Sequence, residues 1–264
     1  MPATQTRNPV FAREFVPQNS LPGGGSAGYA ILPDSSGRTM TIDDVIVKTG
    51  LMFVVLLAGA GLGWAGSASI GGLVIVPMII AFVLGLVAYG SRTVRPALFL
   101  LYAAFEGITL GVISRWYSAS SSLVEKSGGA NIVAQAVLGT LVTFAVVLVL
   151  FLSKKIRVTS RSRRIFGVAL MSYMIIGLVS LIGAIFGVGS GWGFYGVGGI
   201  GLLFCGLGVA LAAYSLVMDF DAIAYGVQAG FPAEQSWRAG FGLMVSLVWL
   251  YLELLRLLAI LNRR

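Results

Sequence analysis

Two neighbouring carboxylates at the end of an apolar stretch are the residues of this sequence best suited to do chemistry. The stretch begins near Phe194 and reaches Asp219 and Asp221 within Tyr214-Ser-Leu-Val-Met-Asp-Phe-Asp-Ala-Ile-Ala-Tyr225. An ionisable side chain at membrane depth costs about 2.5 to 3.5 kcal/mol on insertion scales, so it usually faces a bundle interior or a watery cavity. Carboxylate oxygens bind protons and are the hard ligands that Ca²⁺ accepts. The segment therefore predicts a proton or cation site.

The spacing of these two acids limits what they can share. Residues two positions apart lie about 200° apart around a helix, so we expect Asp219 and Asp221 to have different surroundings. One is expected to face the bundle and the other the cytoplasmic water. The alternative is an acidic helix end that only terminates a membrane span near residue 219.

A third acid lies within another apolar run. Tyr102, Glu106 and Thr109 share one helix face, and Glu106 comes ten residues after Pro96, which is about 15 Å along a helix axis. That depth predicts a carboxyl group near the middle of the membrane. Glu106 has no intrahelical base nearby, so it must be protonated, pair with a base on another helix, or hold a cation.

The last apolar run carries a polar stripe. Ser246, Trp249, Glu253 and Arg256 follow a spacing that aligns them on one helix face. Such a stripe should face protein, because lipid offers it no partner. The alternative to a functional site is an ion pair between Glu253 and Arg256 that only packs the bundle.

The composition excludes most enzyme classes. The chain has no histidine and a single cysteine, Cys205, which removes Ser-His and Cys-His catalysis, the common zinc sites, imidazole ligation of haem and any intrachain disulfide. Only Ser-Lys or carboxylate schemes remain, and Lys48 has no obvious serine partner. We expect no enzymatic activity and no cofactor other than Ca²⁺ as a transported ion.

The apolar runs predict an all-α membrane protein. Hydrophobic residues make up 57% of the 264 residues and charged residues only 11%, whereas soluble proteins carry about 25% charged residues. A helix needs about 20 residues to cross the hydrocarbon core. Seven runs of that size are expected as spans, near residues 46–66, 70–90, 96–118, 130–153, 165–187, 194–219 and 237–261.

The segment before the first run is expected to be a disordered tail. Residues 1–40 are rich in Pro, Gly and Ser and cannot bury enough apolar surface to fold alone. Thr41-Ile-Asp-Asp44 resembles a capping box and predicts the start of the first helix. The domain organisation is therefore a tail over residues 1–40 and a transmembrane domain over residues 41–264.

Basic residues in the short links predict the orientation. Lys and Arg near helix ends accumulate on the cytoplasmic side, which places the N-terminus there as well. An odd number of spans then places Arg263 and Arg264 outside, against that rule. The basic residues of the cytoplasmic links are Arg92 and Arg95 between helices 2 and 3, Lys154, Lys155, Arg157, Arg161, Arg163 and Arg164 between helices 4 and 5, and Arg238 at the start of helix 7.

The six basic residues between positions 154 and 164 have two interpretations. They can be a simple orientation signal, or they can also attract anionic lipid. Nucleic-acid binding is not expected, because the basic residues of the chain fall mostly outside the apolar runs.

Glycines predict close helix contacts. Gly107 and Gly111 form a GxxxG motif on helix 3, and helix 6 begins with Gly196, Gly198, Gly199 and Gly201, followed by Gly206 and Gly208. Small residues at this spacing let two helix backbones approach each other in a membrane.

Three motifs in order resemble the Bax inhibitor family of seven-helix membrane proteins, in a bacterial-type member with a long N-terminal tail. They are Glu106-Gly-Ile-Thr-Leu-Gly111, Tyr214-Ser-Leu-Val-Met-Asp-Phe-Asp-Ala-Ile223 and Tyr251-Leu-Glu-Leu-Leu-Arg-Leu-Leu258, and the similarity covers about residues 46 to 261. The resemblance implies a bundle in which six helices surround the last. It also implies a bacterial plasma-membrane location and an acidic pair that binds protons and governs a calcium leak.

The resemblance carries over only part of that acidic pair. Asp219 matches the family's aspartate at the end of helix 6, but Ser246 stands where many members have the second aspartate, and the stripe has its acid at Glu253. The basic residue that latches the pair in some bacterial members would be Arg92 or Arg95. The function expected first is therefore a pH-sensitive passive leak for Ca²⁺ or another cation, using Glu106, Asp219 and Glu253.

The alternative function is regulatory. The chain would carry no ions and would bind other membrane proteins, as some bacterial relatives are thought to restrain a quality-control protease. Its cytoplasmic contacts would be the tail, with Asn8-Pro-Val-Phe11, and the basic link between helices 4 and 5.

Overall fold

Seven α-helices account for most of the residues that the structure describes. The computed structural model describes residues 37–67, 74–119, 132–155, 158–187 and 198–263, so most of the predicted tail, together with Arg157, lies outside the described residues. The helices are α1 Ile42–Ala65, α2 Ile75–Gly90, α3 Pro96–Ala119, α4 Ile132–Leu152, α5 Ser160–Ile185, α6 Gly198–Gln228 and α7 Gln235–Arg263.

The predicted all-α membrane class is confirmed. Within the described ranges the chain forms no β-strand, and only Thr39 and Pro232 make an isolated bridge. Six helices are long and apolar enough to cross a membrane, and α2 is a shorter apolar helix of 16 residues. The large aliphatic side chains on the outside of the bundle are what a lipid environment requires.

The first helix begins where its capping motif predicts. The backbone N–H of Asp44 donates to the Thr41 hydroxyl at 3.1 Å, and that hydroxyl donates to the Asp44 carboxylate at 2.8 Å. The side chain of Thr41 thus satisfies an N–H group that has no partner within the helix.

The end predicted for the sixth span is wrong. α6 continues past Asp219 and Asp221 to Gln228, and the chain then turns at Gly230, which has a φ of 67°. Ala222 and Ala224 after the two acids favour helix, and the first left-handed residue is the usual signal for a helix end. The two acids therefore lie inside a helix, which removes the alternative that they terminate it.

The predicted start of the fifth helix also needs correction. α5 begins at Ser160, so Arg161, Arg163 and Arg164 belong to the helix and not to the link before it. The side chains of Thr159 and Ser162 accept hydrogen bonds from each other's backbone N–H groups, at 3.1 and 2.9 Å. This reciprocal capping fixes the first turn well ahead of the apolar residues.

Glycines bring α1 and α3 into backbone contact, as the GxxxG motif predicts. A Cβ added at Gly107 would collide with the backbone of Leu56, and one at Gly111 with that of Ala60. α1 contributes its own pair, since a Cβ at Gly59 would lie 2.5 Å from the Ala104 carbonyl oxygen and one at Gly63 would meet the Ile108 backbone. The later residues of each helix meet the later residues of the other, so α1 and α3 run parallel.

The remaining contacts show that successive helices alternate in direction. Residues 91–95, 153–159 and 229–234 are short links between antiparallel neighbours. Paired contacts agree with this: α3 runs parallel to α7, while α6 runs against it. The deciding pairs are Tyr102 with Phe241 and Ser114 with Tyr251 for α3, and Gly208 with Glu253 and Asp219 with Ser246 for α6.

The last helix packs against helices from all parts of the chain. Met244, Leu250 and Leu255 are fully buried in α7. α7 packs against α1, α3, α4 and α6. Tyr173 of α5 bonds to it, and Arg238 at its start donates to the carbonyl oxygen of Ser91 at the end of α2.

Candidate functional site

Asp219 is held by α7. The Ser246 hydroxyl donates to Asp219 Oδ2 at 2.5 Å, and the contact crosses between α6 and α7. Gly242 lies one turn before Ser246, and a Cβ there would be 3.2 Å from the other carboxylate oxygen, Oδ1. The carboxylate of Asp219 therefore packs against a glycine and a serine that lie one turn apart on α7.

Asp221 has a different partner. It forms an ion pair with Arg163 in the first turn of α5, and its side chain is 27% exposed. The two acids of α6 thus diverge as their spacing predicts, one toward α7 and the other toward the end of the bundle.

Glu253 lies in a polar cluster between α5 and α7. Its Oε1 accepts hydrogen bonds from the Tyr173 hydroxyl at 2.8 Å and from Trp249 Nε1 at 3.2 Å, and Arg256 Nη1 is 3.6 Å away. The residue is only 4% exposed. The predicted ion pair along the helix forms, and two further donors bond to the same oxygen.

The second oxygen of Glu253 is unsatisfied. Oε2 is buried and has no hydrogen-bond partner among the described residues. It faces Gly208 of α6, where an added Cβ would lie 2.7 Å from this oxygen. The glycine makes the space that Glu253 occupies, and a buried acceptor without a donor is a place where a proton or a cation can bind.

Glu106 is separate from this cluster. It is half-buried in α3, and neither a hydrogen bond nor an ion pair links it to another described residue. Its depth follows from the contacts of Tyr102 with Phe241 and of Ser114 with Tyr251, which bring Glu106 close to the level of Ser246.

The three carboxylates predicted to share a site are distributed around and along α7. Phe241 and Tyr251 are the residues of α7 that contact α3. Since each residue turns a helix by 100°, these two lie on the side of α7 opposite Ser246 and Glu253. Ser246 and Glu253 are themselves about 10 Å apart along the helix axis. Across the described ranges of the chain, no three Asp, Glu or Cys side chains form a group that could hold a metal ion.

Arg92 and Arg95 are exposed in the link between α2 and α3, and in the described part of the chain neither forms an ion pair with Asp219. The basic residue that does pair with an acid of α6 is Arg163, which pairs with Asp221.

The sequence did not identify the side chains of α5 that bind the acids or the two glycines that make room for carboxylates. Tyr173 and Arg163 act from α5, and Gly208 and Gly242 supply space for carboxylates. Tyr173 is a polar side chain in an apolar run, which is a usable signal. The spacing of the glycines predicts close helix contact at Gly208, but it does not show that either glycine lies against a carboxylate, because that depends on which helix lies opposite.

The comparison with protein families extends the motif resemblance to the whole chain. A family model described as Bax inhibitor 1 like matches residues 8–263. No match to an individual curated protein was detected. The matched range begins well before residue 46 and so includes most of the segment predicted as a tail, which the motifs had left outside. Because this match covers nearly all of the sequence, the chain belongs to the Bax inhibitor 1 like family and is a multi-pass helical membrane protein.

Proposed function

We propose that this protein is a pH-sensitive passive leak for Ca²⁺ or a similar cation, and that the ion passes along the interface of α5, α6 and α7. The observation that carries the proposal is the polar line on α7. Ser246 bonds to Asp219 of α6 and Glu253 to Tyr173 of α5, while Trp249 packs its ring 6.0 Å from that of Tyr173 and donates to Glu253. Polar and ionisable side chains cost free energy inside a membrane, so a line of them usually marks a functional site.

The line offers carboxylate oxygens at two depths. Asp219 lies toward the end of the bundle that carries the short links, and Glu253 lies about 10 Å deeper. A cation moving between them would exchange one carboxylate for the next, and weak binding at several sites favours passage over retention. Glu106, on the other side of α7, is proposed as a separate proton-binding group that affects how α3 packs.

The proton sensitivity is assigned to single carboxyl groups. The partner of Asp219 is a serine, so this site has no second acid with which to share a proton. Protonation of Asp219 or Glu253 removes the charge that attracts a cation, and acid therefore reduces the flux. The protein acts by this passage and not by catalysis.

The proposed arrangement in the membrane has all seven helices crossing and α7 enclosed by the rest. The start of α1 and the three short links lie at one end, which also carries most of the basic residues. We place that end, with the N-terminus, in the cytoplasm of a bacterial cell, because Lys and Arg accumulate there.

Ion flux into liposomes tests the proposal. Purified protein is reconstituted around a calcium-sensitive dye, and Ca²⁺ entry is followed at acidic, neutral and mildly alkaline pH. We expect flux that falls in acid for the natural chain. The flux through the Asp219→Asn protein should depend less on pH, because a neutral amide cannot release a proton.

Asp43→Asn is the matched control, since Asp43 is an exposed acid in the first turn of α1 and lies outside the polar line. It should behave as the natural chain. If liposomes with the natural protein pass no more Ca²⁺ than empty ones at any pH, the leak is wrong and the regulatory function becomes the leading one.

A further inference from the structure

The two sides of α5 carry different chemistry. One side faces the bundle: Arg163 pairs with Asp221, the ring of Phe166 packs 5.3 Å from that of Tyr214, and Tyr173 bonds to Glu253. At 100° per residue, Arg161 and Arg164 point away from that side. Both are exposed, and neither has an ion-pair partner among the described residues.

The outward side continues as an apolar strip directly beyond the two arginines. Ile165, Val168, Met171 and Ile175 follow at helical spacing, and each is about 60% exposed. All six residues fall within an arc of about 120°. The strip lies along a helix long and apolar enough to cross the membrane, so its surroundings are lipid acyl chains.

The charges around the two arginines have one sign. Lys154 and Lys155, in the link before α5, are also exposed. The sequence has no acidic residue between Glu125 and Asp219, and Asp221 is already paired with Arg163. The charged side chains of α5 and of the link before it are therefore all basic.

We infer that the outward side of α5 binds an anionic phospholipid, with its phosphate held between Arg161 and Arg164 and an acyl chain along the apolar strip. Two arginines one turn apart present planar donor groups that suit phosphate oxygens. Free phosphate would use the arginines alone, whereas the exposed aliphatic residues beneath them favour a ligand with a hydrocarbon tail. The inference does not depend on the proposed leak.

Competition between lipids in native mass spectrometry tests the site. The full-length protein in detergent is given equal amounts of phosphatidylglycerol and phosphatidylcholine of the same chain length, and the bound ratio is measured. We expect the natural chain to retain phosphatidylglycerol preferentially. Since one basic residue near an anionic surface contributes about a five-fold preference, Arg161→Gln with Arg164→Gln should lower the ratio about 25-fold.

Arg92→Gln with Arg95→Gln is the control of equal charge, because both residues are exposed at the same end of the bundle but belong to the link between α2 and α3. It should change the ratio by less than about two-fold. Arg161→Lys with Arg164→Lys keeps both charges but loses the planar donor groups, so it should lower the ratio by less than the glutamine variant does. A preference retained by the lysine variant would show that the helix still folds when the arginines are replaced.

Three results would overturn the inference. The ratio could be unchanged in the Arg161→Gln and Arg164→Gln protein, or it could fall equally in the control, which would indicate a general effect of surface charge. Alternatively, glycerol phosphate without acyl chains could displace the lipid as efficiently as phosphatidylglycerol does, which would indicate a site for a free anion.

Discussion

At the residue scale, the distinctive feature of Asp219 is that its hydrogen-bond partner is a serine. The Ser246 hydroxyl donates one hydrogen bond to it at 2.5 Å, so the carboxylate contacts a neutral group here and not a second acid. Many members of the family have an aspartate in place of the serine, according to the motif resemblance. The proposed pH response would therefore depend on single carboxyl groups where a pair would share a proton.

Restoring the acid pair should move the pH response of the flux. In Ser246→Asp, two carboxylates would lie at hydrogen-bond distance, and two such groups cannot both ionise easily. One proton is then retained to higher pH, so the midpoint of the pH dependence should rise by about one unit or more. The measurement is Ca²⁺ entry into liposomes as a function of pH. Ser246→Asn is the neutral control, and equal midpoints in the two variants would contradict the argument.

Glu253 depends on a glycine in the facing helix. A methyl group at Gly208 would lie 2.7 Å from Oε2 and close to the Tyr173 hydroxyl, so Gly208→Ala must displace the carboxylate or separate α6 from α7. Overpacking of this kind costs about 1 to 3 kcal/mol. We expect the thermal unfolding temperature in detergent to fall.

Gly206→Ala provides the comparison from the same helix. Nothing lies within 4 Å of a Cβ at Gly206, so this variant should unfold at the same temperature or slightly higher, as alanine favours helix. Equal unfolding temperatures for the two alanine variants would show that Gly208 does not make room for Glu253.

At the scale of helices, α1 and α3 form the most intimate contact of the bundle. Four glycines, two on each helix, allow backbone atoms of one helix to touch the other. A flexible side chain can move aside, but a backbone carbonyl cannot, so these positions tolerate no added carbon. This contact positions α3 and, through Ser114 and Tyr251, supports α7.

Gly107→Ala should weaken that contact. The new methyl group would meet the backbone of Leu56, and we expect a loss of about 1 to 3 kcal/mol, seen as a lower unfolding temperature in detergent. Gly61→Ala changes an α1 glycine with open space around its Cβ and should be tolerated. A similar loss in both variants would point to a general effect of alanine and not to helix contact.

At the scale of the whole molecule, alternating helix direction places the links before α3, α5 and α7 at one end. That end also carries exposed basic residues in the link before α5 and in the link before α3. The proposed orientation follows from this distribution and from an odd number of helices, which places the start of α1 and the end of α7 on opposite sides.

Cysteine labelling tests the orientation. In a Cys205→Ser background, Lys155→Cys probes the end with the links and Phe186→Cys, at an 82% exposed position, probes the other end. A membrane-impermeant maleimide applied to intact cells should label Phe186→Cys. Lys155→Cys should react only in inverted vesicles. The reverse pattern would place the N-terminus outside.

The sequence by itself determined the class of the protein, the family and the approximate position of each helix that the structure describes. Runs of apolar residues are set by the thickness of the bilayer, and local motifs such as the Thr41 cap act over a few residues, so both are readable along the chain. The start of α5 and the end of α6 were misplaced. Outside the lipid, a segment forms its backbone hydrogen bonds as a helix equally well whether its side chains are charged or apolar.

Only the tertiary structure decided which partners the acids have on other helices. Tyr173 for Glu253, Arg163 for Asp221 and Gly208 beneath a carboxylate all come from other helices. Such contacts depend on how each helix is rotated and how deep it lies, and spacing within one helix specifies neither. For the same reason the sequence suggested one shared site for Glu106, Asp219 and Glu253, whereas the folded chain places Glu106 on the other side of α7 from the remaining two.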